Sequence, residues 1–308
     1  MNTIIFTQLI MLLLMICLGF LTKKLNLFDE KGNKALCAIS FNISLPLMVF
    51  CAISSTFTAS MLQRMSVIFA IVMCTFLGSF LLSIVYVKLL KSKLKINNDE
   101  KGIHQYCFMF SNIAFVAIPL IKAFWGDEQV VYASVFIVGF SFFNNSVGIA
   151  VLSNNRDKGN WLGMFRAMPF WGAVLGIVFG LNNIRLSGAI FENMQMIGNM
   201  TTPLAMIFIG HTLASSGIAN IGKYKRLFIT SLFRLVILPG ICYIVLRSIF
   251  SDYYIWAVST LMFATPFAIT MSIIAERQGS NVEIASYATL ICTLCSMITI
   301  PLWAVILL

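Results

Sequence analysis

Charged side chains are scarce in this sequence: Asp, Glu, Lys and Arg together make up 10% of its 308 residues. Soluble domains carry about 25% charged residues and about 45–50% apolar ones. Here 59% of the residues are hydrophobic, and the mean hydropathy is +0.92. The shortage of charge excludes a sizeable soluble domain and indicates an integral membrane protein. The net charge of +10 then reflects loop orientation rather than nucleic-acid binding, because no soluble fold accompanies the basic residues.

The motifs of enzymes and metal centres are missing as well. The sequence contains no HExxH, no G-x-S-x-G and no phosphate-binding glycine loop. Its two histidines, His104 and His211, are far apart, and neither has a carboxylate at helical spacing. Cys292 and Cys295 have CxxC spacing, but no His or acidic residue accompanies them. We therefore interpret them as two small apolar residues on one helix face rather than as a metal or redox site. We therefore expect no enzyme, no catalytic residue, no metal and no cofactor.

Long hydrophobic runs occupy the chain from end to end. Because about 20 apolar residues cross the hydrocarbon core, these runs predict an all-α integral membrane protein with ten transmembrane helices. The first run lacks a basic n-region and an A-x-A-like cleavage site, so we expect a permanent span rather than a signal peptide. The predicted spans are 3–22, 35–56, 66–89, 102–124, 130–152, 164–182, 190–213, 227–249, 254–276 and 284–307.

Lysine and arginine are unevenly divided between the two sides of these spans. Of the 21, sixteen lie in the loops after odd-numbered spans and four in the loops on the opposite side. By the positive-inside rule, we expect both termini to be extracytoplasmic and the basic loops to face the cytoplasm. The remaining one, Arg234, falls within the eighth span. It either snorkels to the interface, or it pairs inside the protein or contacts an anion.

The two halves of the chain show weak sequence similarity to each other. The pattern N-x-x-x-P-L occurs from Asn42 through Pro46 and again from Asn199 through Pro203, at an offset of 157 residues. Ten spans divide into five and five, and an odd number per half places two repeats in opposite orientations. The sequence thus predicts two inverted repeats, at 1–152 and 164–308, joined by a cytoplasmic linker at 153–163.

The predicted fourth and ninth spans each contain a proline beside polar residues. Pro119 follows Ser111 and Asn112 by about two helical turns, and Pro266 directly follows Thr265. A proline inside a membrane helix frees carbonyl groups that hydrocarbon cannot hydrate. Interrupted helices in corresponding halves of one chain are typical of transporter binding sites.

Acidic residues are absent from the fourth span and from the ninth as far as Glu276, which argues against a carboxylate proton relay or a strong sodium site. The polar residues at mid-membrane are uncharged, and they either form hydrogen bonds between helices or line a site. Together with helix N-termini, such a lining suits an anion. These residues are Asn42, Ser44, Ser111, Asn112, Asn144, Asn145, Thr265 and Thr270.

Several stretches carry a resemblance to a known family. They include SNIAFVAIPL at 111–120, PLAMIFIGHTLA at 203–214, ATPFAIT at 264–270 and QGSNVEIAS at 278–286, besides GFLTKKLNLF from Gly19 onward. Across essentially the whole chain, the sequence resembles the auxin efflux carrier family of membrane transporters, in its short bacterial form.

That resemblance implies a location in the plasma (inner) membrane of a bacterial cell, and it implies a fold and a site. Spans one, two, six and seven would form a scaffold that dimerises, and spans three to five and eight to ten would form a moving transport domain. The broken fourth and ninth spans would cross beside the substrate. Carried onto this chain, the substrate-binding candidates are Ser44, Ser111, Asn112, Asn144, Asn145 and Thr265. The crossover and structural candidates are Pro119, Pro266, Asn42, Pro46 and Pro203.

These observations together predict a transporter. We expect it to move small organic anions, carboxylates in particular, by an elevator-type alternating-access mechanism that is driven by the membrane potential or is secondary active. A symporter that couples dicarboxylate uptake to H⁺ or Na⁺ is the alternative. The expected partners are the anion, the lipid bilayer and a second copy of the chain. A membrane enzyme or sensor would need a nucleophile–base pair or a signalling module, and the sequence shows neither.

Overall fold

The computed structural model describes residues 2–94, 96–153, 159–215 and 221–308. Over these ranges the chain is helical apart from short connections and one isolated bridge between Ser111 and Phe267, and it contains no strand. The all-helical part of the predicted fold is therefore confirmed. Residues 154–158, within the predicted linker 153–163, lie outside the described ranges.

Sixteen α-helices account for most of the described chain. They are α1 (Asn2–Lys24), α2 (Glu30–Ile39), α3 (Leu45–Thr56), α4 (Met61–Leu94), α5 (Asn98–Met109), α6 (Ile118–Trp125), α7 (Asp127–Phe143), α8 (Ile149–Leu152), α9 (Met168–Leu181), α10 (Gly188–Asn199), α11 (Thr201–Ser215), α12 (Lys225–Leu232), α13 (Leu238–Ile249), α14 (Tyr253–Phe263), α15 (Thr270–Arg277) and α16 (Val282–Leu307). Wider π-helical turns occupy Ser40–Ser44, Ile113–Ala117, Asn144–Gly148 and Phe233–Ile237, and 3₁₀ turns occupy Trp161–Arg166 and Ile221–Tyr224.

Many of these helices have the composition of membrane spans. Within the described ranges, five helical segments are long and apolar enough to cross a bilayer: Glu30–Thr56, Met61–Ser92, Asp127–Leu152, Ile221–Ile249 and Val282–Leu307. Shorter apolar helical segments are Ile113–Trp125, Met168–Leu181 and Tyr253–Phe263. Large apolar side chains stay exposed along them, as lipid contact requires. The chain is therefore a multi-pass membrane protein, and the number of ten spans stays a prediction.

Three prolines inside helices are accommodated by the same local structure. Pro46, Pro119 and Pro239 each occupy the second position of an α-helix that directly follows a π-helical turn. A proline ring collides with the carbonyl group four residues earlier in a regular α-helix. The wider π turn displaces that carbonyl, so the helix continues through the proline.

The break predicted at Pro119 lies elsewhere. Helix α5 ends at Met109, Phe110 is extended, and helical backbone resumes at Ile113. From there the chain stays helical through Pro119 to Trp125. Placing the interruption at the proline was wrong because the preceding π turn accommodates the ring. In the ninth predicted span the interruption does include Pro266, since α14 ends at Phe263 and α15 begins at Thr270.

The residues group into two compact units by their contacts. The first comprises Met1–Ser66, Ala114–Ile137 and Phe165–Gly217, and the second comprises Val67–Ile113, Val138–Met164 and Ile218–Leu308. The predicted repeats, 1–152 and 164–308, concern symmetry within the sequence rather than this grouping, and they stay a prediction.

Glycines set the helix contacts of the first unit. Helix α1 packs along α11, and α3 packs along α9. A Cβ atom on Gly19 would lie 2.2 Å from the carbonyl oxygen of Ile207, and one on Gly172 would lie 2.5 Å from that of Pro46. Only glycine permits backbones to approach so closely, as is common where membrane helices cross.

Candidate functional site

Two helix interruptions meet in the second unit. The amide N–H of Asn112 donates to the carbonyl oxygen of Pro266 at 2.7 Å, and the N–H of Ala268 donates to that of Phe110 at 3.2 Å. Residues 111 and 267 thus face each other as in a short antiparallel pair. Hydrocarbon offers no water to backbone groups that leave a helix, so each interruption supplies hydrogen-bond partners for the other.

Polar residues at this pairing are buried, and the adjacent Phe110 belongs to a cluster of aromatic rings. Ser111, Asn112 and Thr265 are all buried, and the Thr265 hydroxyl donates to the carbonyl oxygen of Met262 at 3.2 Å. The ring centroid of Phe110 lies 5.6 Å from that of Phe140 and 5.9 Å from that of Phe76. A few polar groups in an apolar wall are the usual composition of a small-molecule site.

Tyr106 links the interruptions to the π turn at Asn144–Gly148. Its hydroxyl donates to Asn144 Oδ1 at 2.7 Å and lies 3.4 Å from the hydroxyl of Thr270, the first residue of α15. Tyr106 itself is fully buried. The structure thus brings Asn144 and Thr270 together with α5 through one phenol group.

Asn145 is turned toward the chain that follows α8. Its side-chain amide donates to the carbonyl oxygen of Ser141 at 2.8 Å, and its own carbonyl oxygen accepts from the N–H of Asn160 at 2.9 Å. A Cβ atom on Gly163 would lie 2.6 Å from Asn145 Oδ1. These contacts give Asn145 a role in holding residues 159–163 in place.

The remaining candidates belong to the first unit. Ser44 is fully buried at the end of a π turn, and its hydroxyl has no hydrogen-bond partner among the described residues. The Asn42 amide is exposed and donates to the carbonyl oxygen of Ala38 in its own helix at 3.0 Å. Pro203 lies in the first turn of α11, where backbone N–H groups have no partner within the helix.

A small open cleft of about 180 Å³ also belongs to the first unit. Arg185 lines it and donates to the carbonyl oxygens of Ser54 and Ser55 at 2.9 and 3.1 Å. Those carbonyls belong to the last turn of α3, where a cation is favourable. Arg185 thus caps a helix end, and the lining includes no acidic side chain.

A second arginine lies fully buried in the second unit. Arg234 is in the π turn Phe233–Ile237, and its Nη1 donates to the carbonyl oxygen of Phe108 at 3.2 Å. Its guanidinium carbon lies 5.2 Å from the ring centroid of Phe263. Snorkelling to the interface is therefore wrong for Arg234, because the surrounding helices enclose the whole side chain.

Comparison with known proteins identifies the family. The sequence model of the family described as "Membrane transport protein" matches residues 4–161 and 156–304. The chain belongs to this family. The predicted resemblance to auxin efflux carriers is thereby confirmed, and so is the prediction of a membrane transporter.

Two archaeal proteins are similar over almost their whole length. An uncharacterized transporter of Methanothermobacter thermautotrophicus is 23% identical over 302 residues, which cover 96% of each chain. An uncharacterized transporter of Methanocaldococcus jannaschii is 22% identical over 307 residues, which cover 97% of each chain. These relatives support a transporter of the membrane transport protein family.

Two residues of the candidate site in this transport protein could not be placed from the sequence. No sequence motif singles out Tyr106, although its spacing to Phe110 places it one helical turn before the interruption. For Arg234 the alternatives were snorkelling, pairing inside the protein and contact with an anion. Nothing in its local sequence shows that it is buried beside Phe108 and Phe263. Within the described residues, no group of three or more His, Cys, Asp or Glu side chains is placed to hold a metal ion.

Proposed function

We propose that this membrane transport protein carries small organic anions, carboxylates in particular, across the bilayer. The observation that carries the proposal is the backbone pairing of residues 110–112 with 266–268. Beyond each interruption a helix begins, at Ile113 and at Thr270, with N–H groups that favour a negative charge. Ser111, Asn112 and Thr265 add neutral polar groups to this setting.

The paired interruptions are, in this proposal, the crossover of two inverted five-helix repeats. Packing in the first unit supports this arrangement, because α1 packs on α11 and α3 packs on α9. In the ten-span scheme these contacts join span one to span seven and span two to span six. Each repeat then contributes its first two spans to one scaffold, which dimerises, while spans three to five and eight to ten move as an elevator.

The membrane potential supplies the driving force in this proposal. Moving one charge across the membrane is worth about 2.3 kcal/mol per 100 mV, which corresponds to roughly 50-fold accumulation of a monoanion. In a bacterial inner membrane with a negative interior, anions leave without a coupling ion. The lack of acidic residues in spans four and nine before Glu276 agrees with uncoupled efflux.

Flux measurements in proteoliposomes test this function. The purified protein is reconstituted, and uptake of radiolabelled acetate, lactate, malonate and succinate is measured with a potential imposed by valinomycin and a potassium gradient. We expect flux of at least one carboxylate to rise when the receiving side is made positive, and empty liposomes serve as the control. Absence of flux for the whole panel would contradict anion transport.

The same assay separates the coupled alternative. If flux depends on a sodium or pH gradient and ignores the imposed potential, the protein is a coupled dicarboxylate symporter rather than a potential-driven carrier. Malonate and succinate are the probes for this outcome, since inward movement of two negative charges against a negative interior requires cotransported cations.

A further inference from the structure

Arg234 has hydrogen-bond donors that the protein does not use. Nη1 donates to Phe108, whereas Nε and Nη2 are buried and have no hydrogen-bond partner in the part of the chain that the structure describes. A guanidinium group stays protonated in proteins and carries five donors in a rigid fork. Buried charge is normally paired and hydrogen-bonded, so an incomplete set of contacts requires an explanation.

The described neighbours of Arg234 do not neutralise its charge. The titratable side chains that interact with it are the thiols of Cys107, Cys242 and Cys292, and a thiol is ordinarily neutral at physiological pH. Glu100, on the neighbouring helix α5, pairs with Arg226 at 3.2 Å. The positive charge of Arg234 is therefore uncompensated by these side chains.

The two unused donors form one edge of the guanidinium. Nε and Nη2 point in the same direction, and together they match the two oxygens of a carboxylate in a bidentate pair. Phe108, which accepts from Nη1, and the ring of Phe263, which covers the guanidinium face, hold the group from two other sides. The edge that remains is thus the one best suited to a carboxylate.

Arg234 is also attached to both interrupted helices. Phe108 precedes the extended segment at 110–112 by two residues, and Phe263 is the last residue of α14. On its own element the arginine is fixed by the π turn, and the indole N–H of Trp303 in α16 donates to the carbonyl oxygen of the adjacent Leu235 at 2.7 Å. A change in position of the paired interruptions would therefore also change the contacts of the guanidinium.

We propose that Arg234 binds the carboxylate group of the transported anion through Nε and Nη2. This inference rests on the proposed function. It adds a positive charge to a candidate site whose other polar side chains are neutral. It assigns to the second unit a permanent cation for the substrate, in contact with Phe108 and Phe263 on the two helices that lead into the paired interruptions.

Variants of Arg234 test the assignment in proteoliposomes and by thermal unfolding in detergent. Arg234→Met should raise the KM for the carboxylate that wild type transports best by roughly tenfold or more, because two charge-assisted hydrogen bonds are lost. Arg234→Lys keeps the charge without the bidentate fork, so we expect an intermediate KM. Arg247→Met is the matched control, since Arg247 is exposed on α13 and rests against Tyr243 and Trp256; it should leave KM unchanged.

Thermal unfolding supplies a second readout. Millimolar potassium malonate or succinate should raise the unfolding temperature of wild type more than potassium chloride does, and Arg234→Met should lose this difference. If chloride alone gives the full shift, the site holds an inorganic anion and the assignment is overturned. If Arg234→Met does not fold, Arg234→Lys decides, because a lysine with wild-type KM and carboxylate shift also overturns it.

Failure of this inference differs from failure of the proposed function. Wild-type transport with an unchanged KM in Arg234→Met rejects the arginine alone. If wild type transports none of the four carboxylates, the proposed function fails. In that case thermal unfolding still tests carboxylate binding by Arg234. If carboxylate raises the unfolding temperature of wild type no more than chloride does, the assignment is rejected.

Discussion

The backbone and the side chain of Asn112 have different roles at the paired interruptions. Its main-chain N–H is bound to the Pro266 carbonyl oxygen at 2.7 Å, so a substitution of the side chain preserves that bond. The side chain is buried, and a buried amide is retained only with polar partners. A substrate carboxylate is one partner that such an amide can serve.

Asn112→Ala is therefore expected to abolish carboxylate flux while the protein stays folded and keeps the oligomeric state of wild type. The amide is lost, but the backbone pairing that closes the interruptions is kept. Proteoliposome uptake and size-exclusion chromatography measure the two properties on the same preparation. Asn193→Ala is the matched control, because the exposed Asn193 amide donates only within its own helix, to the carbonyl oxygen of Ala189 at 2.7 Å. Unchanged flux in Asn112→Ala would remove this residue from the site.

At the scale of elements, the sequence predicted helices well and interruptions less well. Apolar runs identify the helices because hydrocarbon length and backbone hydrogen bonding leave the chain little choice. Pro266 falls inside an interruption, but Pro119 does not, since a π turn absorbs its ring. The extended segment at 110–112 depends on hydrogen bonds to residues more than 150 positions later. No local pattern reports such a partner.

The same limit applies to the site residues. Ser111, Asn112 and Thr265 were predicted because polar residues are rare in membrane helices, and Thr265 also directly precedes Pro266. Their role in binding stays a prediction. Tyr106 and Arg234 could not be placed, since their roles come from contacts with Asn144, Phe108 and Phe263 on other segments. Burial of a charge is a property of the packing around it rather than of its neighbours in sequence.

Helix crossings in the first unit provide a prediction about elements. Gly172→Ala should destabilise the protein by about 1–3 kcal/mol, because the new methyl group would lie 2.5 Å from the carbonyl oxygen of Pro46 and α9 would have to move away from α3. Gly240→Ala is the control, since a Cβ there meets nothing within 4 Å, and alanine favours a helix by about 1 kcal/mol over glycine. Thermal unfolding in detergent should show opposite shifts; equal shifts would mean that α3 and α9 are not in tight contact.

At the scale of the whole molecule, the distribution of positive charge predicts how the protein is oriented in the membrane. Sixteen of its 21 lysines and arginines lie in loops assigned to the cytoplasmic side, and the acidic residues number only 11. Retention of Lys and Arg loops on the cytoplasmic side sets the orientation of short-loop membrane proteins.

Single cysteines added on either side test the orientation. Ser187→Cys, in the exposed connection before α10, should react with a membrane-impermeant maleimide on intact cells. Lys31→Cys, in the exposed first turn of α2, should react only after the membrane is permeabilised. Labelling of the unchanged protein gives the background from its eight native cysteines. The reverse pattern would place the basic loops outside and would show that the sixteen-to-four division does not determine the topology of this transporter.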